Sequence, residues 1–343
     1  MPAQRRRVPV VAVLGLAAVV GALVCWVLLA QCDRKPLLDA PDAFDVQTVL
    51  DREPTAYAPT DQNEVLTENT GLGDADDASQ GDAGGAGGAG SARDAGDDPF
   101  AESDFTACAN QTYYSILYFD EDTLYTSGNS SRTPSASVIK VFIMEYAFHL
   151  MGTGAFAPDS VIGASTLSAL VETMIQDSNN EATNALIDAF GMDEINAFLA
   201  ESGYSDTVLQ RHMLDNVARS AGLENLTSLD DCMRILEKLY ANRETYPYSE
   251  MLAIMKGQNV RTKIPLSLPA DVSVANKTGE LDDVENDIGI VFAADEGSDY
   301  AIVALTFEPF SSSGARSAIA QLARSAYDSR FATSPTQQQA DAQ

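Results

Sequence analysis

A serine and a lysine lie one helical turn apart, at Ser137 and Lys140, where an apolar segment begins after a proline. The pattern of that segment predicts a helix from residue 137 to residue 151, with both side chains on one face. A serine hydroxyl is a strong nucleophile only when a neighbouring base takes its proton. A lysine shielded from water can lose its own proton near neutral pH and act as that base. The pair predicts a nucleophilic serine, although by itself it also fits an ordinary helix start with a serine cap.

A second polar motif, Ser178-Asn179-Asn180, lies where one predicted helix ends near residue 176 and the next begins near residue 180. Asp177, Ser178 and Asn179 are all residue types that cap helices, which is the structural explanation. Close to a nucleophilic serine, Ser178 could instead relay a proton to a leaving nitrogen. Asn180 could then orient a substrate amide and the ammonium group of Lys140.

The third motif, Lys277-Thr278-Gly279, closes a strand pattern at 272–277. A glycine there would let a substrate lie against the strand edge, whose unpaired N–H groups could stabilise an oxyanion. Lys277 and Thr278 would then bind a substrate carboxylate. A strand that simply ends in a turn is the structural alternative.

The elements that must position these motifs run from strands to helices and back to strands. Strand patterns occur at 113–119, 123–126, 272–277, 287–294 and 299–307, with helical patterns from 137 to about 256 and again at about 314–330. This order predicts an α/β fold in which strands from both ends of the domain form one antiparallel sheet flanked by helices. A helical subdomain is inserted in the middle, and the whole catalytic domain is predicted to span 105–331.

Residues from about 108 to 330 resemble the class A β-lactamase family of penicillin-recognising serine hydrolases. The three motifs, in this order, are that family's signature. The residues around them agree with it: Ala136-Ser137-Val138-Ile139-Lys140-Val141-Phe142, then Ser178-Asn179-Asn180-Glu181-Ala182-Thr183-Asn184, then Leu268-Pro269-Ala270-Asp271 before the third motif and Asn286-Asp287-Ile288 after it.

The resemblance implies a serine β-lactamase/D,D-peptidase-like fold with the site in a cleft between a sheet domain and a helical domain. It implies that Ser137 is acylated, that Lys140 takes its proton and that Ser178 passes a proton to the leaving nitrogen. Substrate binding would fall to Asn180, Lys277, Thr278 and Gly279, and the backbone N–H groups of Ser137 and Glu280 would form the oxyanion hole. No cofactor and no metal are implied.

Two departures from the family pattern concern the second motif and the stretch of chain that precedes it. The second motif reads Ser-Asn-Asn rather than Ser-Asp-Asn, which is a mild change. The stretch from Ser137 to Ser178 is also shorter than in typical members, which would trim one wall of the cleft.

A third departure concerns the loop that carries the family's deacylating glutamate. If Arg211 matches the arginine of that loop, Met213 stands where the glutamate should be. Asp215 and Glu224 are nearby carboxylates, and neither fits the position cleanly. A carboxylate there would activate the water that breaks the acyl-enzyme, so its loss predicts acylation with slow release.

The residues and the resemblance together predict a membrane-anchored serine hydrolase that forms an acyl-enzyme with β-lactams and hydrolyses the lactam amide. Two alternatives stay open. One is a D,D-peptidase or penicillin-binding protein that acts on a D-Ala-D-Ala type cell-wall peptide. The other is a receptor that binds a β-lactam or muropeptide without turning it over.

The N-terminus carries three arginines at 5–7 and then an uncharged run of 23 residues from Val8 to Ala30. As a helix this run would be about 35 Å long, enough to cross a bilayer. The arginines should stay in the cytoplasm, so residues 1–32 are predicted to be a signal anchor with the catalytic domain outside the cell membrane. A lipoprotein signal, suggested by Leu29-Ala30-Gln31-Cys32, and a cleaved signal peptide are the alternatives, and both also export the domain.

Residues 33–104 are acidic and rich in glycine and alanine, with 18 Asp and Glu against 4 Lys and Arg. Such a composition cannot bury enough apolar surface to fold, so it predicts a disordered spacer with a reach of roughly 40–50 Å. Residues 332–343 are predicted to be a disordered tail.

The net charge of −29 argues against nucleic acid as a partner, because a phosphate backbone needs a basic surface. A zinc site is not expected, because the sequence holds only two histidines and no Cys-x-x-Cys pair. Cys108 and Cys232 could form a disulfide in an oxidising compartment or remain two separate thiols.

Overall fold

The computed structural model describes residues 98–128, 131–293 and 299–331. The predicted anchor at 1–32, nearly all of the spacer and the tail at 332–343 therefore lie outside the described residues. Among the described helices, none is long and apolar enough to cross a membrane. Phe100 is already buried at 2% exposure, so packing begins a few residues before position 105.

The strands are β1 (Ala109–Tyr118), β2 (Thr123–Thr126), β3 (Thr133–Pro134), β4 (Val161–Ile162), β5 (Ser165–Thr166), β6 (Leu226–Thr227), β7 (Ser273–Leu281), β8 (Val284–Phe292) and β9 (Tyr300–Pro309). Five of them form one antiparallel sheet in the order β2-β1-β9-β8-β7. In the centre of this sheet β1 pairs with β9, with Tyr114 opposite Ala304. The sheet is thus built from both ends of the domain, as predicted, and β7 is one of its two edge strands.

The helices are α1 (Ile139–Thr153), α2 (Leu167–Gln176), α3 (Asn180–Phe190), α4 (Met192–Glu201), α5 (Asn216–Ser220), α6 (Leu229–Ala241), α7 (Tyr248–Lys256) and α8 (Ser312–Phe331). Helix α1 is buried almost all round, with Phe142, Ile143 and Met144 fully inaccessible. A helix that is apolar on every side belongs in the middle of a bundle. Helices α2, α3, α4, α6 and α7 contribute buried apolar side chains to the same core.

Each face of the sheet has its own apolar core, because successive side chains of a strand point to opposite faces. Val303 and Leu305 of β9 pack with the helices around α1. Ile302 and Ala304 point the other way and pack with α8. The architecture is an α/β fold with an antiparallel sheet, α8 on one face and the helical region on the other.

Two predicted boundaries near the motifs are wrong. Ser137 does not begin an α-helix: it lies in a 3-10 turn, Ala136–Val138, and α1 begins two residues later at Ile139. The third motif does not end a strand either, since β7 continues to Leu281 and pairs with β8 on both sides of Gly279. The structural alternative, a strand that simply ends in a turn at Gly279, therefore does not hold, because this glycine lies inside the strand.

Cys108 and Cys232 are free thiols in the structure. Cys232 lies in the core around α1, whereas Cys108 packs beside the core under α8. The two cysteines therefore belong to different faces of the sheet, which favours separate thiols over a disulfide.

Candidate active site

Gly279 of β7 packs directly against the segment that carries Ser137. A Cβ atom added at Gly279 would lie 2.8 Å from the Ser135 carbonyl oxygen and 3.2 Å from the Ser137 nitrogen. Asn286 of β8 holds the same segment, because its Nδ2 donates to the Pro134 carbonyl oxygen at 2.9 Å. The glycine is needed for this close backbone approach, which brings the edge strand beside the predicted nucleophile.

Lys140 is fully buried in α1, and its ammonium group contacts the junction between α2 and α3. Its Nζ donates to the Ser178 carbonyl oxygen at 2.7 Å and to Asn180 Oδ1 at 2.8 Å, and lies 3.3 Å from Ser178 Oγ. All three acceptors are neutral, so burial lowers the pKa of Lys140 from 10.5 to about 7. A large fraction of Lys140 is therefore uncharged at neutral pH and can accept a proton.

Ser178 adopts a left-handed backbone conformation, with φ of +53°. It does not cap α3, because Asn179 does so by accepting a hydrogen bond from the Ala182 nitrogen at 2.8 Å. Its hydroxyl is instead held by the two lysines of the site, with Lys277 Nζ at 2.9 Å and Lys140 Nζ at 3.3 Å. Such strained residues often occur at functional sites, and this conformation places the Ser178 hydroxyl between the amines of two lysines.

Lys277 is also fully buried, and its Nζ donates to the Thr278 carbonyl oxygen at 2.9 Å as well as to Ser178. Burial, and secondly the positive charge of Lys140, hold the pKa of Lys277 well below its usual value. Two lysines with lowered pKa values thus share one hydroxyl. This arrangement can carry a proton from Lys140 through Ser178 toward a leaving group.

A buried charge network lies behind β7, and sequence reasoning missed it. Lys263 is fully buried, donates to the Gly279 carbonyl oxygen at 3.1 Å, and pairs with Glu285 at 2.8 Å and Glu280 at 3.2 Å. Arg316 of α8 pairs with the same two carboxylates, at 2.9 and 3.3 Å. The network anchors the backbone of the third motif from the side opposite the cleft. It also engages the side chain of Glu280, whose backbone N–H is predicted to form part of the oxyanion hole.

Asp287 lies opposite Thr278 in the β7–β8 ladder and is completely buried. Its carboxylate accepts hydrogen bonds from the Ile264 nitrogen and from Asn276 Nδ2, both at 3.0 Å. Burial raises the pKa of Asp287 to about 6, and the nearby Lys263 charge opposes that rise. Three consecutive polar residues at 285–287, inside an apolar strand pattern, were the available sequence signal for these groups.

Met213 is held in place by Asn184 of α3. The Met213 nitrogen donates to Asn184 Oδ1 at 2.7 Å, and Asn184 Nδ2 donates back to the Met213 carbonyl oxygen at 3.1 Å. The Met213 side chain is 7% exposed and packs in the core around α1. Asn184 lies about one turn after Asn180 in α3. It therefore fixes the backbone at Met213, the position where the resemblance predicts a glutamate.

Neither carboxylate that could replace the missing glutamate is free. Asp215 caps α5 by accepting a hydrogen bond from the Ala218 nitrogen at 2.9 Å. Glu224 pairs with Arg211 at 2.6 Å and with Arg219 at 2.8 Å. Both groups stabilise the loop at 210–225 and are engaged with partners there.

The loop at 210–225 contacts both the segment that carries Ser137 and the turn between β7 and β8. The Asn225 carbonyl oxygen accepts hydrogen bonds from the nitrogen and hydroxyl of Ser135, at 2.8 and 2.9 Å. Arg219 pairs with Asp283, in the turn between β7 and β8, at 2.5 Å. The loop therefore links the nucleophile segment to the hairpin that carries the third motif.

The structure brings the predicted site residues into one cluster: Ser137, Lys140, Ser178, Asn180, Lys277, Thr278, Gly279 and Glu280. In this cluster Ser137 packs against the edge strand β7, Lys140 follows it by three residues, and the Ser178 hydroxyl lies between the amines of Lys140 and Lys277. Thr278 and Lys277 are almost inaccessible, at 2% and 0% exposure. Across the part of the chain that is described, no group of three or more His, Cys, Asp or Glu could hold a metal ion.

Solved structures with this fold include several β-lactamases. The chain matches a β-lactamase from Chitinophaga pinensis DSM 2588 at 19% identity and a TM-score of 0.61, over 66% of this chain and 96% of that one. It matches a β-lactamase from Sphaerobacter thermophilus DSM 20745 at 23% identity and a TM-score of 0.59, over 67% and 95%. A mutant of PBP-A, in an acyl-enzyme complex with penicillin G, matches at 22% identity and a TM-score of 0.58, over 64% and 90%.

A comparison with curated protein sequences gives no match. A family model described as the beta-lactamase enzyme family, however, matches residues 102–329, which is most of the described part of the chain. That span contains all three motifs, the edge strand that packs against Ser137 and the lysine pair around Ser178. The chain belongs to the beta-lactamase enzyme family, as the resemblance of its motifs to the class A enzymes predicted.

Proposed function

We propose that this protein is a serine acyl-transfer enzyme that is acylated by β-lactams on Ser137 and hydrolyses the resulting ester slowly. The observation that carries the proposal is the buried Lys140, whose pKa of about 7 makes it a base at neutral pH one helical turn from Ser137. Ser178 bridges Lys140 to Lys277 and can return the proton to the lactam nitrogen. The N–H groups of Ser137 and Glu280 would stabilise the developing oxyanion.

The side chains of the loop at 210–225 are the observation that favours slow hydrolysis of the acyl-enzyme. Met213 cannot accept a proton, and the carboxylates of Asp215 and Glu224 are engaged in a helix cap and two ion pairs. A general base typically accelerates such a step by about 10²–10⁴-fold, so its absence should let the ester accumulate. The lack of a free general base in this loop, all of which the structure describes, also fits a second candidate function, that of a penicillin-binding protein or D,D-peptidase that acts on a D-Ala-D-Ala type peptide. A receptor that retains one equivalent of ligand is the limiting case of the same chemistry.

Intact-mass spectrometry of the full chain with a penicillin, followed over time, tests the proposal. We expect a mass increase of one penicillin per chain that forms quickly and decays slowly. The Ser137→Ala variant should show no adduct, and Ser135→Ala, as a matched control on the same segment, should keep it. An adduct that persists in Ser137→Ala, or that maps to Ser178, would refute the assignment of the nucleophile.

The fate of the adduct separates the candidates. Steady release of hydrolysed penicillin indicates a lactamase, and a stable stoichiometric adduct indicates a receptor or binding protein. Release of D-alanine from a D-Ala-D-Ala peptide indicates a peptidase.

We also propose that residues 1–32 anchor the protein in the cell membrane and that the acidic spacer holds the catalytic domain on the outer side. The proposal rests on the arginines at 5–7, the apolar run at 8–30 and the composition of 33–104. Protease added to intact spheroplasts should cut the spacer and release the domain. A domain that stays protected until the membrane is lysed would contradict this topology.

A further inference from the structure

A cavity of about 370 Å³ lies between α1, α2 and α7. Phe148 and Met151 line it from the end of α1, Val171 from α2 and Ile254 from α7. Its size falls within the range of about 300–1,000 Å³ that is usual for small-molecule sites. Most of its wall is apolar, so it would take a ligand with an apolar body.

Two carboxylates, Glu172 of α2 and Glu250 of α7, also line the cavity, and no lysine, arginine or histidine does. Both glutamates are exposed to solvent. Within residues 98–128, 131–293 and 299–331, neither forms an ion pair with a cationic side chain. The wall therefore presents two negative charges that nothing described in the chain neutralises.

An aromatic pair completes the wall. The rings of Phe148 and Tyr246 meet edge to face, with centroids 6.0 Å apart. Phe148 is buried at 5% exposure, whereas Tyr246 is 62% exposed, so its ring is accessible from solvent. Aromatic faces and carboxylates are the two groups that attract organic ammonium ions, through cation–π contact and through charge.

We propose that this cavity is a binding site for an organic ammonium ion with an apolar body. The apolar part lies against Phe148, Val171 and Ile254, and the ammonium group lies between Glu172 and Glu250. The proposed ligand is small, because the volume accommodates an aryl or short alkyl chain rather than a protein segment. The site is separate from the residues around Ser137 and does not depend on their acylation.

The cavity shares helix α2 with the catalytic cluster. Val171, Glu172 and Gln176 line the cavity from α2, and the chain reaches Ser178 two residues after that helix ends. The junction is also held from α7's side, because the Asn259 nitrogen donates to the Gln176 carbonyl oxygen at 2.9 Å. A ligand bound to α2 and α7 therefore contacts the two helices that support the proton-relay serine.

Isothermal titration calorimetry of the full chain with three probes of equal length tests the proposal: 4-phenylbutylammonium, 4-phenylbutan-1-ol and 4-phenylbutyrate. We expect the ammonium ion to bind with a stoichiometry of one, at least about fivefold more tightly than the alcohol, and the carboxylate not to bind. The preference should shrink as salt is added, because exposed charges are screened. Equal binding of ammonium and alcohol, or no binding of the ammonium ion, would overturn the proposal.

Variants locate the site. The double change Glu172→Gln and Glu250→Gln should remove the preference for ammonium over alcohol, and Glu201→Gln, an exposed carboxylate on α4, should leave it unchanged. Ala253→Trp fills the cavity from an exposed position on α7 and should abolish binding, whereas Ala241→Trp at the end of α6 should not. Thermal melting of each variant shows that it is folded. Binding that survives both the double change and Ala253→Trp would place the ligand elsewhere and refute the proposal.

Discussion

The rate of acylation of Ser137 should depend on pH through the ionisation of Lys140. Burial against neutral acceptors lowers the pKa of Lys140 to about 7. Only the uncharged amine can accept the serine proton, so acylation should rise with pH through about 7 and level off above it. This rising limb of the pH–rate profile reports the loss of a proton from the free enzyme. It should therefore appear in the second-order rate constant of acylation.

The structure sets the size of the effect. With a pKa of about 7, roughly half of Lys140 is uncharged at pH 7 and about 1% at pH 5, so acylation should fall about 50-fold between these values. A lysine with the ordinary pKa of 10.5 would be only about 0.03% uncharged at pH 7, which would lower the rate by about 10³-fold. Lys277 shares Ser178 with Lys140, so the observed midpoint belongs to the coupled pair of lysines.

Stopped-flow mixing with a fluorescent penicillin, at pH values from 5 to 9, measures this profile. Lys140→Arg should acylate far more slowly and without the limb, because a guanidinium does not lose its proton in this range. Asp287 also titrates nearby, with a pKa of about 6. Asp287→Asn is therefore the matched control, and it should keep the limb near pH 7.

Two results would refute this reasoning. A wild-type rate that is flat from pH 5 to pH 8 would show that Lys140 is not the base that limits acylation. A limb that disappears in Asp287→Asn would assign the titration to the carboxyl group instead.

Three further predictions follow from contacts around the site. Met213→Glu should shorten the lifetime of the acyl-enzyme by about 10²–10⁴-fold, since it restores a proton acceptor at a fixed backbone position; an unchanged lifetime by intact mass would contradict this. Gly279→Ala should slow acylation by about 10²–10³-fold, because its Cβ would lie 2.8 Å from a carbonyl oxygen. The control Gly152→Ala, in α1, has nothing within 4 Å of its Cβ, so it should melt at the same or a higher temperature than the wild type. Arg219→Ala breaks the ion pairs with Asp283 and Glu224, so it should cost about 1 kcal/mol or less of unfolding free energy for each pair yet speed hydrogen exchange in the loop at 210–225; unchanged exchange would show that these pairs do not restrain the loop.

Local sequence patterns determined the elements and their order. The strand pattern at 299–307 predicted β9, and the apolar helical pattern after Ser137 predicted α1; the structure buries both elements along most of their length. Motif spacing likewise placed Lys140 one turn from Ser137. Boundaries were less accurate where tertiary contact overrides local preference. The motif with Gly279 was predicted to close a strand, because glycine commonly marks the end of one. In the structure the strand continues past Gly279, and its close packing against Ser135 requires a glycine there.

Only the tertiary structure decided which groups are charged, free or engaged. The pKa of Lys140 depends on its burial, and its hydrogen-bond acceptors lie 38 and 40 residues away in the chain. The roles of Asp215 and Glu224 as loop-stabilising groups appear only when their partners are in place. No local pattern singles out Lys263 in the sequence, yet it is fully buried against two carboxylates. These properties depend on distances between segments remote in the chain, and local periodicity carries no information about such distances.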